Sequence, residues 1–175
     1  TPADANHLPG VDWEATEIAY GYYHGYAKLD KEGVAPGLPY GFGLSYTTFR
    51  LSDPSFEATG SDVVATCTVE NTGDREGDEV VQLYVGYGHS RIDRPVKSLR
   101  GFERITLKPG QRRRVRLACP IERLRWFNPD SDAWELESMP YEVFIGTSSA
   151  REDLLAGTVE LAANADRPLK HSRGG

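Results

Sequence analysis

The chain of 175 residues predicts an all-β sandwich. Three observations carry that prediction. Between residues 45 and 161, apolar and polar residues alternate in several short runs, the period of two that a half-buried strand requires. Clusters of Gly, Asn, Asp and Pro with turn chemistry separate the runs. No stretch carries a sustained helical period between recognisable caps. Seven or more short strands spaced in this way describe two packed sheets.

Residues 1–44 are rich in Gly, Pro and Tyr and hold no sustained period; they predict an irregular arm with one short turn near residues 13–18. The sandwich follows over residues 45–161. Val63, Ala65, Cys67 and Val69 point to one face, and Val64, Thr66, Thr68 and Glu70 to the other. Asn71-Thr72-Gly73-Asp74 and Glu76-Gly77-Asp78 are turns. A second strand covers 80–86, and another covers 99–107 around Phe102 and Ile105. Lys108-Pro109-Gly110-Gln111 has Pro and Gly at the positions a type II turn prefers. In the next strand Val115, Leu117 and Cys119 face in while Arg114, Arg116 and Ala118 face out. Strands at 133–137, 141–147 and 155–161 complete the set. The alternation places Val69, Leu83, Val85, Phe102, Val115, Leu117, Val143 and Ile145 in the core. Residues 162–175 carry no apolar pattern and predict a disordered tail.

With 20 basic and 26 acidic residues the net charge is −6, against a nucleic-acid partner, whose backbone demands a basic face. No run approaches 18 apolar residues, so no membrane-spanning helix is predicted. The chain opens Thr1-Pro2-Ala3 without Met or a secretory leader, which suggests a piece of something longer; its compartment stays open. Cys67 and Cys119 are too few for a disulfide framework or a zinc site. Both fall on inward faces, which favours free buried thiols over a bridge. His7, His24, His89 and His171 are scattered, and nothing points to a metal or other cofactor.

Chemical motifs are thin. Glu135 and Glu137 share a strand face, and glycoside hydrolysis uses paired carboxylates, but the expectation is a solvated outer face. Asn128-Pro129-Asp130-Ser131-Asp132 opens like a calcium loop; Ala133 and Met139 stand where Gly and Glu belong, so a plain turn is expected. Gly41-Phe42-Gly43-Leu44-Ser45-Tyr46 begins like a phosphate loop and lacks its third Gly and strand–turn–helix setting. Arg112-Arg113-Arg114-Val115-Arg116 reads as a solvated sandwich face. One cluster rises above this background: Tyr20, Tyr22, Tyr23, Tyr26, Tyr40, Phe42 and Tyr46, all in or beside the arm. Such rings could stack on sugars; covering a joint between domains is the favoured reading, because aromatics dominate protein interfaces.

Several of these runs are familiar together. Tyr20-Gly21-Tyr22-Tyr23-His24-Gly25-Tyr26 is followed by Leu38-Pro39-Tyr40-Gly41-Phe42-Gly43-Leu44-Ser45-Tyr46-Thr47-Thr48-Phe49. Then come Val69-Glu70-Asn71-Thr72-Gly73, Gly77-Asp78-Glu79-Val80-Val81-Gln82-Leu83-Tyr84-Val85, Arg94-Pro95-Val96-Lys97-Ser98-Leu99-Arg100-Gly101-Phe102-Glu103-Arg104, Leu107-Lys108-Pro109-Gly110 and Tyr141-Glu142-Val143-Phe144-Ile145-Gly146-Thr147-Ser148-Ser149. Over most of residues 17–161 the chain resembles the C-terminal part of glycoside hydrolase family 3, the β-glucosidase/β-xylosidase group. The resemblance implies an immunoglobulin/fibronectin type III-like β-sandwich following a catalytic barrel that holds the nucleophilic Asp and an α/β sandwich domain that usually supplies the acid/base. The only Asp-Trp, Asp12-Trp13, follows Val11 where the family's nucleophile context has Ser, so no catalytic residue is carried over. Two departures stand out: Ala27 where the family often has Arg after Gly-Tyr, and Leu38-Pro39-Tyr40-Gly41 where it often has Phe-Pro-Phe-Gly. The first puts in doubt an anchoring or site-lining Arg; the second keeps bulk. The expected role is a non-catalytic domain bracing the catalytic barrel and α/β sandwich domain of its parent. Tyr22, Tyr23, Tyr26, Tyr40 and Phe42 are the candidate interface or sugar contacts. The alternative is a carbohydrate-binding module using those aromatics on an oligosaccharide.

Overall fold

A computed structural model describes residues 16 and 21–163. Most of the expected turn near residues 13–18, Tyr20, and the tail beyond residue 163 lie outside the described residues. Among the described residues nine strands follow one α-helix: α1 (Gly25–Glu32), β1 (Phe49–Ala58), β2 (Asp62–Asn71), β3 (Gly77–Gly86), β4 (Lys97–Leu107), β5 (Arg112–Pro120), β6 (Trp126–Asn128), β7 (Ala133–Glu135), β8 (Met139–Gly146) and β9 (Leu154–Leu161). Two antiparallel sheets, β1-β2-β5 and β4-β3-β8-β9, face each other, and β6-β7 forms a separate hairpin. This is the predicted sandwich. Its core interleaves Val63, Ala65, Cys67 and Val69 from one sheet with Val81, Leu83, Val85, Tyr141, Val143 and Ile145 from the other.

Seven of the eight predicted core residues are buried: Val69, Leu83, Val85, Val115, Leu117, Val143 and Ile145. Phe102 is not; it is 69% exposed. Phe102 and Ile105 are three residues apart, so a strand cannot turn both to one face. Ile105 is buried, and Phe102 lies outward opposite Gln82 of β3.

No strand is placed over 49–58 by the alternation, and the structure shows one there, with Asp53-Pro54 in its middle. The structure accommodates it as an irregularity: the β1–β2 register shifts between Ser52 and Ser55, and Asp53 has φ +51°. Proline, lacking an N–H, is tolerated at such a point in an edge strand. The Arg114 guanidinium crosses from β5 to donate to the Asp53 carbonyl at 2.6 Å.

The turn at 108–111 forms as predicted, with Gly110 at φ +72° and the Gln111 N–H donating to the Lys108 carbonyl at 2.9 Å. Beside it Asn71 is completely buried. Its Oδ1 accepts from Thr47 Oγ1 at 2.7 Å and from the Gly73 N–H at 3.0 Å. Its Nδ2 donates to the Arg75 and Leu107 carbonyls at 2.7 and 2.8 Å. One amide thus joins the arm's end, the β2–β3 turn and the end of β4.

Cys67 and Cys119 are free and fully buried. Cys67 pairs with Val115 and Cys119 with Val63, so the thiols sit four residues apart along neighbouring strands. That is about 13 Å at the rise of a strand, too far for a disulfide. Burial pushes the Cys67 thiol up to about 11 and the Cys119 thiol in the same direction. A water-soluble thiol reagent is expected to label neither in the folded chain and both after denaturation; labelling of the native protein within minutes would contradict this burial.

The arm holds a helix that the sequence did not announce. Helix α1 buries none of its residues, and His24 supplies no side-chain cap. At two turns it is too short to establish a helical period in the sequence, and it has no side-chain start signal. Its end is clearer: Gly33 adopts φ +66°, and the N–H groups of Gly33 and Val34 return to Asp30 and Leu29.

Candidate functional site

The arm lies on the outer face of the four-stranded sheet. Two side chains there are nearly inaccessible although they point away from the core: Gln82 and Tyr84 of β3. Tyr84 Oη donates to Gln82 Oε1 at 2.5 Å, and Gln82 Nε2 donates to the Thr147 carbonyl at 2.8 Å. Burial pushes the Tyr84 hydroxyl well above its ordinary titration range. Gly41 sits directly over this pair. A Cβ at Gly41 would lie 2.0 Å from Gln82 Nε2 and 2.9 Å from the Thr147 carbonyl oxygen, and its φ is +91°. The glycine-rich run is therefore a close-approach element, not a phosphate loop. Next to it Tyr40 and Ser149 clasp each other: the Tyr40 N–H donates to Ser149 Oγ at 2.9 Å, and the Ser149 N–H donates to the Tyr40 carbonyl at 2.8 Å.

Helix α1 is fastened by charge. Asp30 pairs with Lys97 of β4 at 2.8 Å, both side chains largely buried. Lys31 pairs with Asp93 at 2.5 Å, Tyr23 Oη donates to the same carboxylate at 2.7 Å, and the Lys31 ammonium stands 3.8 Å above the Tyr23 ring. Lys31, then Tyr23, hold the Asp93 carboxyl below the usual carboxylate range, and Asp93 in turn raises the Lys31 ammonium. Tyr26 donates to the Leu38 carbonyl at 3.1 Å and meets Tyr40 edge to face at 5.9 Å.

Beside the exposed charges of α1, the arm presents many large apolar side chains to solvent. Tyr22, Tyr26, Leu38, Tyr40, Phe42, Leu44 and Tyr46 are all exposed, Tyr46 at 91%. Tyr40 and Phe42 join Leu99 and Phe102 of β4 around a groove of about 370 Å³. Of the candidate residues, Tyr40 and Phe42 line this groove, Tyr26 meets Tyr40, and the exposed Tyr22 stands against Tyr23, which is engaged with Asp93. Phe102 belongs to the surface too and was misplaced in the core; its three-residue offset from Ile105 was the available signal.

The carboxylates Glu135 and Glu137 do not share a solvated face. Strand β7 ends at Glu135, and beyond it the chain turns Glu137 inward, where it is buried. Glu137 accepts from Ser90 Oγ at 2.6 Å and from the Arg91 N–H at 3.0 Å, and pairs with Arg94 at 3.5 Å. Glu135 stays at the surface, accepting from Ser131 Oγ at 2.6 Å and Asn128 Nδ2 at 2.9 Å; these bonds lower its pKa. Both acids thus have structural partners. The 128–132 stretch is the turn of the β6-β7 hairpin, with the Asp130 N–H bonded to Asn128 Oδ1 at 3.0 Å. Among the described residues no group of three or more His, Cys, Asp or Glu could hold a metal. The arginine run is a salt-bridged face: Arg112 pairs with Glu70, Arg113 with Glu103, and Arg114 with Thr66 and the Asp53 carbonyl.

Two antiparallel sheets of three and four strands enclosing one core define the class, a fibronectin type III-like domain, and residues 79–149 match the family described as Fibronectin type III-like domain. The chain corresponds to the C-terminal fibronectin type III-like region of glycoside hydrolase family 3 β-glucosidases. It is 37% identical to a β-glucosidase of Kluyveromyces marxianus over 147 residues, 82% of this chain and 17% of that protein. It is 44% identical to a periplasmic β-glucosidase of Salmonella typhimurium over 125 residues, 69% of this chain and 16% of that one. The solved family 3 β-glucosidase of Bifidobacterium adolescentis superposes with a TM-score of 0.82 at 29% identity, covering 99% of this chain and 27% of that chain. The chain therefore spans about a sixth of the length of the curated relatives it matches.

Proposed function

We propose that the chain is a non-catalytic bracing domain of a family 3 β-glycosidase, with the arm as its docking face. The parent enzyme would hydrolyse a terminal β-linked sugar through a covalent glycosyl-enzyme intermediate, on catalytic residues of its own barrel and α/β sandwich domains. One observation carries this reading: an aromatic surface that the sandwich does not cover is nevertheless fastened against it, by the Tyr40–Ser149 clasp and the Asp30–Lys97 pair. Exposed apolar patches of this kind mark a partner surface. Tyr22, Tyr23, Tyr26, Tyr40 and Phe42 are the residues assigned to it, with Phe102 added. Each ring covered contributes about 1–3 kcal/mol to docking. The carbohydrate-binding alternative gains no support: the paired rings meet at 82° and 74° instead of forming a flat row, and the relatives named above are hydrolases.

The test is a pair of melting curves for Phe42→Ala, in this chain alone and in the full-length parent. In the chain alone the change is expected to move the midpoint by no more than about 2 °C, since the ring is half exposed. In the parent it should lower the midpoint by roughly 5 °C, because a buried joint is then left open. Equal shifts in both would assign Phe42 to the domain's own packing and remove the docking reading.

A further inference from the structure

The loop between β3 and β4 connects two features that lie apart in the sequence. Its middle carries Asp93, which holds Tyr23 and Lys31 of the arm. The residues on either side of Asp93 are tied to the interior at the opposite end. Ser90 and the Arg91 N–H bond Glu137, and Arg94 reaches Glu137, the Leu124 carbonyl at 2.8 Å and the face of Tyr87 at 3.8 Å. The Arg94 and Glu137 side chains are 9% and 6% exposed, so this pair is an internal one. Arg100 of β4 bonds Tyr87 Oη, and Tyr141 Oη donates to the Glu137 carbonyl at 3.1 Å, which seats the network on the core.

We infer that Glu137 is a positioning residue for the arm: by fixing Ser90, Arg91 and Arg94 it sets where Asp93 stands, and so where the Tyr23–Lys31 end of α1 rests. The physical argument is one of rigidity. A loop tip carrying an exposed ion pair orders its partner only if the tip itself cannot move. Here a buried carboxylate removes that freedom with a hydroxyl, a backbone amide and a guanidinium, none of which touches the arm. The consequence for the parent rests on the docking reading above, because a displaced Tyr23 and α1 would change the surface offered to the catalytic domains. The positioning itself does not rest on it and is read in this chain alone.

The experiment is hydrogen exchange on the 175-residue chain, followed at residues 23–32 and 88–94, for Glu137→Gln, Asp93→Asn and the two together. Glu137→Gln should speed exchange on the order of tenfold in both segments, the scale of one lost charge-assisted bond, while the amides of β2, β3 and β8 stay protected. Asp93→Asn should speed 23–32 alone. In the double variant, segment 23–32 should exchange no faster than in Asp93→Asn, because both changes cut one line of contact. If Glu137→Gln unfolds the sandwich, Ser90→Ala, which removes the hydroxyl's bond to the same carboxylate together with its local bonds to Ile92, should give a smaller acceleration in the same two segments. Acceleration confined to 88–94, or additive effects at 23–32, would overturn the proposal and show that the arm is held by the Asp30–Lys97 pair without help from the loop. Failure of docking in the parent with this coupling intact would instead count against the bracing function only.

Discussion

Asn71→Ala is expected to lower the stability of the chain by about 3 kcal/mol. The Asn71 amide makes four hydrogen bonds, each contributing about 1 kcal/mol net, and the side chain is fully buried. Truncation leaves the Leu107 and Arg75 carbonyls with no donor in their place. Asn71→Asp should be worse, although it keeps size and shape, because an acceptor would then face those two carbonyls. Urea or thermal denaturation measures both, with a midpoint drop of roughly 10 °C for alanine. A cost below about 1 kcal/mol would mean that water replaces the amide.

Gly41→Ala is the second large effect, and it should appear in a different part of the molecule. Positive φ costs a side-chain-bearing residue about 1–3 kcal/mol. The added methyl also collides with the Gln82 amide and the Thr147 backbone. Gln82 can rotate only by giving up its bond to Thr147. Relief comes from lifting the arm, because the sheet below is braced by its ladders. The sandwich midpoint should therefore change little, while limited proteolysis at Lys28 and Lys31 accelerates by an order of magnitude or more. An unchanged cleavage rate would show that the arm tolerates the methyl in place.

How much of this could be read in advance depended on whether one residue's neighbours sufficed. Strands β2, β3, β5, β8 and β9 announce themselves because apolar residues recur at every second position, and inward residues such as Val69, Val115 and Ile145 are buried as that alternation requires. The type II turn at 108–111 was legible because Pro and Gly carry their dihedral preferences with them. β1 was hidden by Pro54, which is tolerated because β1 lies at the edge of its sheet and its register shifts between Ser52 and Ser55, where Arg114, more than fifty residues away, bonds the Asp53 carbonyl. Gln82 and Tyr84 show the limit most clearly. They alternate as outward residues should, and they are buried because the arm returns to cover them. Glu137 was misjudged for the same reason: its partners Ser90, Arg91 and Arg94 come from another loop. The aromatic cluster in the arm was evident from composition alone, but the clasp that orients it was not, since Tyr40 and Ser149 are distant in the chain.

That separation has a consequence in time. Tyr40 and Ser149 are 109 residues apart, and the Gln82–Thr147 bond beneath Gly41 likewise waits for β8 to end. During synthesis at about 5–20 residues per second, the arm leaves the ribosome roughly 5–20 s before the last strand that receives it exists. Through that interval Tyr40 is made but its clasp is not. The Tyr40 end of the arm, made among the first pieces of the chain, settles among the last, and a nascent protein halted anywhere before Thr147 would carry Tyr40 and Gly41 without the backbone that seats them.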